Sequence, residues 1–369
     1  MKIAIDLTSL ADNFSGIERM ALNISLEMLY QDKHNRYVLL FKEQIYPAFK
    51  NYINEERVEC IVLPRKRKLW FYQVTLLNAL MKIDADIFLF LAFPSPFFFR
   101  KKGIVNTIHD LGCWDCPETM MGKMVIYFRL MDWNSSKKSQ KILTISKFSQ
   151  NRILQLLKIP EDRIQIIYPG VSENLYGGPE GNWREIQKKY GLPERYIMCL
   201  STLEPRKNMK LLIEAFSDLT REKEIDCSLL LAGRKGWKLE EFLDAIPEFC
   251  KDRICITGYI EDEDLPCLYR HAEVFVFPSI YEGFGIPPLE AMAVGCPVIC
   301  SDIEVLKEIL GEYGIYFQNR NRESLKIVLK SYLDGEMPLH GRNDLIAYSK
   351  KYTYEESVKK LLNVFTDMR

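Results

Sequence analysis

Short apolar runs that alternate with helical patterns constrain this chain more than any other feature of its sequence. Runs rich in Val, Ile, Leu and Phe are typical of strands that a parallel sheet buries on both faces. A first series covers residues 2–7, 37–41, 58–63, 86–92, 104–109, 141–145 and 164–168, and a second covers 196–201, 227–232, 253–256, 274–277, 297–300 and 314–317. Because helical patterns lie between most of these runs, the sequence predicts two doubly wound α/β domains.

Turn-forming residues separate the two series. Residues 173–183 are polar and rich in turn-forming residues, among them three Gly and one Pro, which favours a linker. We therefore expect one domain over residues 1–175, a second over 184–345, and a C-terminal helical segment over 346–369 that packs on the first domain. Ligands of open α/β sheets bind at the carboxyl ends of the strands, so two such sheets predict an interdomain cleft as the ligand site.

Composition and charge narrow the class of protein. With 369 residues, of which 47% are hydrophobic, the chain can bury two cores of ordinary size. A net charge of zero argues against a nucleic-acid partner, although the first 180 residues carry 24 Lys/Arg against 19 Asp/Glu and the remainder carry 26 against 31. The longest apolar run, Ile87 to Phe93, stops at Pro94 and is too short to cross a bilayer.

The cysteines predict a reduced, cytoplasmic protein. Ten of them are scattered through predicted strands and helices, and no secretory signal precedes them. Cys113 and Cys116 have the spacing of a redox motif or of half a zinc site. No second Cys pair or His cluster completes that site, so we expect neither a metal nor a cofactor.

The segment Ser279–Ala293 combines a Gly-containing loop with two glutamates. It follows a predicted strand, and Pro287 or Pro288 suits the first turn of a helix. Such a helix start is an anion site, because its unpaired N–H groups and positive dipole end can approach a phosphate closely across glycines. Glu282 and Glu290 beside it fit the hydroxyls of a sugar and a ribose, which favours a sugar nucleotide. The alternative is a solvated loop residue and a surface helix residue.

Arg206 and Lys207 form a second charged group, directly after the predicted strand 196–201 and before an amphipathic helix. Two cations at the carboxyl end of a strand and beside a helix start can hold a diphosphate. The alternative is a solvated helix start, where the helix dipole slightly disfavours cations.

Both segments resemble signature sequences of one enzyme family. The string around Glu282 and Glu290, and the segment Glu204-Pro205-Arg206-Lys207-Asn208, are similar to motifs of the family 4 retaining glycosyltransferases, nucleotide-sugar enzymes with the two-domain GT-B fold. The resemblance covers nearly the whole chain. It implies an acceptor-binding N-terminal domain, a nucleotide-sugar-binding C-terminal domain, and an Arg and a Lys that neutralise the leaving nucleotide diphosphate.

Further loops extend the resemblance. His109 matches a residue that contacts the donor sugar in the family, although a lone His is more often structural. Gly16 lies in a segment that approaches the donor phosphate, where this sequence has Gly-Ile-Glu and many members have Gly-Ile-Gly. The resemblance thus implies catalytic roles for Arg206, Lys207, Glu282 and His109, and donor binding by Gly16, Gly233, Tyr259, Ile260, Gly283, Phe284, Gly285, Ile286 and Glu290.

The implied reaction moves a sugar from a nucleotide diphosphate to a hydroxyl acceptor with retention at the anomeric carbon. Retention needs a carboxylate nucleophile or a front-face attack, and the family is assigned the second, which requires no metal. Similarity to bacterial polysaccharide enzymes favours mannose from GDP-mannose and a glycan or lipid-linked acceptor; rhamnose, glucose and N-acetylhexosamine are alternatives. Two other classes, a nucleotide-sugar epimerase and an inactive scaffolding partner, are expected to lack part of the charged set.

Basic and aromatic residues lie side by side in two segments of the N-terminal half. The first contains Arg65, Lys66, Arg67, Lys68 and Trp70, and the second is Phe97–Lys102. Cations attract anionic headgroups and Trp favours the interfacial depth, so these segments can dock the domain on the inner face of a membrane, near a lipid-linked acceptor. The alternative is that the aromatic residues belong to the core and the cations to a solvated edge.

Overall fold

The structure is a computed structural model that describes residues 1–10, 15–177, 182–234 and 246–368. The strands in these ranges are β1 (Lys2–Asp6), β2 (Arg36–Lys42), β3 (Val58–Leu63), β4 (Ile87–Phe90), β5 (Ile104–Thr107), β6 (Lys141–Thr144), β7 (Ile164–Ile166), β8 (Tyr196–Leu200), β9 (Ser228–Ala232), β10 (Ile254–Gly258), β11 (Val274–Phe277), β12 (Val298–Ser301) and β13 (Ile315–Phe317).

The α-helices in the same ranges are α1 (Gly16–Gln31), α2 (Lys68–Trp70), α3 (Leu77–Lys82), α4 (Gly112–Asp115), α5 (Gly122–Lys138), α6 (Lys147–Leu157), α7 (Asn174–Gly177), α8 (Trp183–Tyr190), α9 (Met209–Arg221), α10 (Leu265–His271), α11 (Ile286–Ala293), α12 (Glu304–Leu310), α13 (Arg322–Leu333), α14 (Arg342–Ser349) and α15 (Tyr354–Asp367). A π-helical stretch, Phe71–Leu76, joins α2 to α3. Short 3₁₀-helices occupy Pro47–Tyr52, Pro117–Thr119, Glu161–Arg163, Pro205–Lys207, Glu248–Arg253 and Gly311–Tyr313.

The chain divides into two compact units. The first comprises Met1–Pro117, Met121–Gly170 and Thr353–Arg369, and the second comprises Glu118–Met120 and Val171–Tyr352. The helix α15 therefore belongs to the first unit, where it packs on α1. The unit boundaries differ by a few residues from the expected ones, since residues 171–175 and 346–352 belong to the second unit. The N–H of Val171 donates to the carbonyl of Tyr352 at 3.0 Å and joins these two segments.

The first unit contains a seven-stranded sheet with the order β3-β2-β1-β4-β5-β6-β7. Each neighbouring pair is parallel. The chain runs outward from β1 to β3 and then returns to β4, which lies beside β1. The gap between the carboxyl ends of β1 and β4 is therefore the point where the strand order reverses, and such points are preferred ligand sites.

The second unit contains a six-stranded parallel sheet with the order β10-β9-β8-β11-β12-β13. Its strand order reverses between β8 and β11. The helix α9 packs on this sheet through Leu212, Ala215, Phe216 and Leu219, whose spacing repeats at the helical period and which are all fully buried. The prediction of two doubly wound α/β domains is confirmed, with each strand close to its predicted run.

The structure also bears on the cysteines, on membrane-spanning helices and on clusters of metal-binding side chains. None of the ten cysteines, all of which lie in the described ranges, forms a disulfide. Cys113 and Cys116 are buried, and the Cys113 thiol lies 3.3 Å from the carboxylate of Asp132, whose pKa burial raises to about 7. Every helix in the described ranges is too short or too polar to cross a bilayer. Nor do three metal-binding side chains gather anywhere in those ranges.

Candidate active site

Lys207 and Glu282 meet where the strand order of the second sheet reverses. Lys207 ends the 3₁₀ turn after β8, and Glu282 lies in the loop after the neighbouring strand β11. Their Nζ and Oε1 atoms are 2.5 Å apart, and both side chains are mostly buried. Lys207 Nζ also lies 5.3 Å from the centroid of the Phe277 ring, a cation–π distance. The end of β11 and the loop after it therefore hold the ammonium in place.

Arg206 is anchored in the same way by Glu204. Its Nη2 lies 3.2 Å from Glu204 Oε1, and the backbone carbonyl of Arg206 accepts a hydrogen bond from Ile280 N–H at 3.0 Å. The turn ends at Asn208, whose φ of 54° lies in the left-handed region that Asn tolerates better than most residues. This residue closes the turn and begins α9, so it fixes where the two cations stand relative to the Glu282 loop.

Gly285 and Glu290 shape the segment that follows Glu282. Gly285 has a φ of 104°, a backbone conformation that residues with a side chain rarely adopt, so this position strongly favours glycine. The helix α11 begins at the next residue, with proline in its first turn as predicted. Glu282 is 6% exposed and Glu290 is 3% exposed, so the alternative of two solvated glutamates is wrong. Glu290 accepts a hydrogen bond from the Tyr269 hydroxyl at 3.0 Å.

The other predicted donor-binding residues of this segment contribute mainly backbone. Gly283 and Phe284 are buried, and Ile286 is half-buried. The Phe284 ring packs edge-on against Tyr352, with 5.6 Å between centroids. Because its ring is part of the core, Phe284 can offer a ligand only its main chain.

Gly233, Tyr259 and Ile260 follow β9 and β10, on the far side of β8 from Glu282. A Cβ on Gly233 would lie 1.9 Å from the carbonyl oxygen of Ser201, and the N–H of Gly233 donates to the carbonyl of Gly258 at 2.8 Å. Tyr259 is half-buried and Ile260 is buried. The structure thus joins these two loops to each other. The continuation of the Gly233 loop, residues 235–245, lies outside the described residues.

Among the buried polar atoms near this edge that have no hydrogen-bond partner in the described residues, two follow the strands β11 and β13. They are Ser279 Oγ, after β11, and Asn319 Oδ1, after β13. The Nδ2 group of Asn319 lies 3.4 Å from the carbonyl of Ile280, so both side chains border the Glu282 loop. Buried polar groups are normally satisfied, so the hydrogen bonding beside the Glu282 loop is incomplete among the described residues.

His109 lies in the first unit, in the loop after β5. Its Nε2 is 2.8 Å from the carbonyl oxygen of Leu91, which follows β4. Because a carbonyl only accepts, Nε2 carries the proton and Nδ1 of the neutral ring is an acceptor. Burial lowers the pKa of His109 below its ordinary value of 6.5, which favours this neutral form at pH 7. One side of the ring is therefore structural, and the other can accept a hydrogen bond from a hydroxyl.

Gly16 is the first residue of α1. Ser15 is the N-cap, and the Glu18 carboxylate accepts a hydrogen bond from the Ser15 N–H at 2.9 Å. Glu18 is the residue at which this sequence departs from the Gly-Ile-Gly pattern. Its carboxylate covers the helix N-terminus, so a donor phosphate at Gly16 would meet a negative charge of the chain itself. Residues 12–14, which precede this turn, lie outside the described residues.

The two basic segments are only partly surface. Trp70 is 59% exposed, but the adjacent Phe71 is buried in the core. In the second segment Phe98 is exposed, whereas Phe99 is fully buried and packs on Phe88 with 5.1 Å between centroids. Arg65, Lys66 and Arg67 are exposed after β3 and border a cavity; the side chain of Lys68 lies outside the described residues. Of these aromatic residues, Trp70 and Phe98 therefore lie on the surface, whereas Phe71 and Phe99 belong to the core.

Residues of the site that had no assigned role in the sequence include Glu204, Asn208 and Tyr269. Glu204 and Asn208 lie in the same motif as Arg206 and Lys207. The motif therefore pointed to this segment, but it did not indicate that Glu204 pairs with Arg206 or that Asn208 closes the turn. Tyr269, on α10, has no such signal, because only the fold brings its hydroxyl to Glu290.

Comparison with known proteins identifies the family. Residues 182–352 match the sequence model of the family described as "Glycosyl transferases group 1", and residues 14–175 match "Glycosyltransferase Family 4". The O-antigen chain mannosyltransferase B of Escherichia coli is 31% identical over 269 residues, which cover 72% of this chain and 71% of that protein. The chain therefore belongs to the family 4 glycosyltransferases and is a glycosyltransferase enzyme.

Solved structures identify the fold. The Anabaena protein Alr3699/HepE, in complex with UDP-glucose, matches over 100% of both chains with a TM-score of 0.76 and 17% identity. WaaG, a glycosyltransferase involved in lipopolysaccharide biosynthesis, matches over 99% of both chains with a TM-score of 0.74 and 19% identity. The two parallel-sheet units thus have the GT-B fold.

Proposed function

We propose that the protein transfers mannose from GDP-mannose to a hydroxyl of a glycan or lipid-linked glycan, with retention, in the synthesis of a surface polysaccharide. The buried Lys207–Glu282 pair at the reversal point of the second sheet carries the proposal, because it puts a fixed cation beside the helix start where a diphosphate fits. The name of the Escherichia coli relative, an O-antigen chain mannosyltransferase, supports mannose and the polysaccharide. Rhamnosyl, glucosyl and N-acetylhexosaminyl transfer are the alternatives.

The chemistry follows from the charges of the second unit. As the bond between sugar and diphosphate breaks, negative charge develops on the departing phosphate, and Arg206 and Lys207 stabilise it from positions that their carboxylate partners fix. In a front-face attack the same phosphate oxygen takes the proton of the acceptor hydroxyl. Neither a protein base nor a metal ion is needed in this mechanism. Glu290 accepts hydrogen bonds from the ribose, with Tyr269 orienting its carboxylate.

The donor is tested by nucleotide release. Purified protein is incubated with GDP-mannose, GDP-rhamnose, UDP-glucose or UDP-N-acetylglucosamine and a bacterial glycolipid extract, and free nucleoside diphosphate is measured. We expect release from GDP-mannose above all others and none from the Lys207→Ala variant. Faster release from a UDP-sugar refutes the mannosyl assignment. Equal release by wild type and Lys207→Ala refutes the assignment of the diphosphate site.

We further infer that the protein works on the inner face of a membrane, docked through its first unit. The outer face of α5 is apolar, with exposed Ile126, Leu130 and Trp133 at helical spacing, and exposed lysines stand at both ends of this stripe. Trp70 is a second exposed aromatic in that unit. An apolar stripe flanked by cations complements an anionic bilayer, whose headgroups attract each cation by about 1 kcal/mol.

Co-sedimentation with vesicles of phosphatidylglycerol and phosphatidylethanolamine tests this docking. Wild type is expected to sediment at low salt and to be released at high salt, and Leu130→Ser/Trp133→Ser is expected to stay in solution. Ile327→Ser/Leu339→Ser is the matched control, since it removes two exposed apolar side chains from the second unit. Sedimentation of the α5 variant at the wild-type level, or none by wild type, refutes membrane docking.

A further inference from the structure

A cavity of about 690 Å³ lies at the carboxyl edge of the first sheet. Three neighbouring strands, β1, β2 and β3, end beside it, so their loops converge there. It is lined by Thr8 and Ser9 after β1, by Lys42 at the end of β2, by Arg65, Lys66 and Arg67 after β3, and by Glu18, Phe71, Tyr72 and Phe93.

Positive charge dominates the lining. Four cations face a single carboxylate, that of Glu18, which is engaged by the N-terminus of α1. Arg65 lies 3.6 Å from Glu43, but both side chains are largely exposed, and such pairs contribute little. Within the described ranges Lys42, Lys66 and Arg67 make no ion pair, and Lys42 Nζ lies 5.7 Å from the centroid of the Phe71 ring. Most of the cationic charge of this cavity is therefore uncompensated by the protein.

The rest of the lining also suits a phosphorylated ligand. Ser9 lines the cavity, and its buried Oγ has no hydrogen-bond partner among the described residues. Tyr72 and Phe93, which are half-buried, supply an apolar wall on which the carbon skeleton of a sugar or an alkyl chain can pack, and the buried Phe71 lies behind it. A neutral glycan would use this wall but would leave the cations without a partner.

We propose that this cavity binds a phosphate or diphosphate group of the acceptor. The inference rests on the proposed transfer function, because it assigns the cavity to the second substrate of that reaction. Guanidinium groups bind phosphate oxygens in bidentate fashion and ammonium groups bind them as point charges, so Arg65, Arg67 and Lys66 match a doubly charged group better than a single carboxylate. The volume leaves room for the sugar attached to the phosphate.

Calorimetric titration with inorganic pyrophosphate tests the site. Wild type is expected to bind two equivalents, one at Arg206 and Lys207 and one in the cavity. Arg65→Ser/Lys66→Ser/Arg67→Ser should bind the cavity equivalent at least tenfold more weakly and keep the other. Arg206→Ala/Lys207→Ala should show the reverse, so failure of the cavity assignment and failure of the proposed donor site give different results.

The matched control is Arg36→Ser/Lys50→Ser/Lys82→Ser, which removes three exposed cations of the same unit outside the cavity. It is expected to bind two equivalents, and thermal unfolding of all variants checks that they are folded. Two equivalents bound by the cavity variant, or the same loss in the control, overturn the cavity site. Two equivalents bound by Arg206→Ala/Lys207→Ala refute the donor site instead.

Dodecyl diphosphate distinguishes the two sources of such a group. If wild type binds it at least tenfold more tightly than pyrophosphate, and the cavity variant loses that gain, the phosphate belongs to a lipid carrier. Equal affinity for both probes supports the phosphate site and assigns it to a phosphate carried by the glycan.

Discussion

Replacing Glu282 by glutamine removes the charge that faces Lys207 and keeps a side chain of the same size. The paired atoms are 2.5 Å apart, and the side chains of Lys207 and Glu282 are 13% and 8% exposed. Breaking a buried ion pair typically costs about 3–5 kcal/mol, because the remaining charge is desolvated and unpaired. Glutamine keeps an acceptor oxygen for the ammonium, so we expect the free energy of unfolding to fall by about 2–3 kcal/mol.

Thermal unfolding with and without GDP measures this effect. In a unit of this size about 1 kcal/mol shifts Tm by about 2–4 °C, so Glu282→Gln should lower Tm by about 4–12 °C. A bound diphosphate supplies the countercharge that Lys207 has lost. The Tm difference between Glu282→Gln and wild type should therefore shrink when GDP is saturating.

An exposed pair with the same separation is the control. Glu248 and Lys251 are also 2.5 Å apart, but their side chains are 86% and 57% exposed. Glu248→Gln should change stability by no more than about 0.5 kcal/mol. If both substitutions lower Tm equally, or Glu282→Gln leaves it unchanged, burial does not set the strength of the Lys207 pair and the reasoning is refuted.

Four further outcomes are expected. Arg206→Ala should lower turnover by about tenfold or more, since a transition-state charge contact is lost; wild-type turnover would contradict the phosphate role. Transfer should survive excess chelator, and a loss that magnesium or manganese restores would contradict the metal-free mechanism. Asn208→Ala should destabilise by about 1 kcal/mol because of its left-handed φ, and Asn208→Gly by less, in urea unfolding; the opposite order would contradict the backbone argument. Burial lowers the pKa of His109 in the folded protein, so below pH 6.5 the unfolded state binds more protons than the folded state. The Tm should therefore fall as the pH drops from 7 to 5, and it should fall less steeply in His109→Gln. Equal slopes in the two proteins would exclude His109 as a source of this pH dependence.

The fold was predictable because continuous apolar runs have few alternatives to buried parallel strands. The start of α11 was likewise predictable from Gly285 and the prolines after it. A left-handed backbone conformation favours glycine, and the first turn of a helix favours proline. Contacts across the fold were not predictable. Tyr269 and Glu290 are far apart in the sequence, which gives no sign that α10 and α11 bring the Tyr269 hydroxyl within 3.0 Å of the Glu290 carboxylate.

Surface and core were hardest to separate within the basic segments. Trp70 and Phe71 are adjacent in sequence, but consecutive residues of a helix point about 100° apart, so one is exposed and the other is buried. The cationic cavity was missed for a different reason. Its lining comes from segments that are far apart in the sequence, and the sequence showed only the basic run after β3.

The donor site and the cationic cavity should differ in how their ligand affinities depend on salt, because their cations are paired to different extents. In the second unit Arg206 and Lys207 each have a carboxylate within 3.2 Å, and a donor diphosphate must compete with these mostly buried partners. In the first unit three of the four cavity cations, Arg65, Lys66 and Arg67, are exposed, and the Arg65 side chain is 78% exposed. Exposed charges are screened beyond about 8 Å at physiological ionic strength, whereas buried pairs are screened much less. Donor affinity should therefore depend mainly on geometry and vary little with salt, whereas affinity for a phosphorylated acceptor should fall steadily as salt rises.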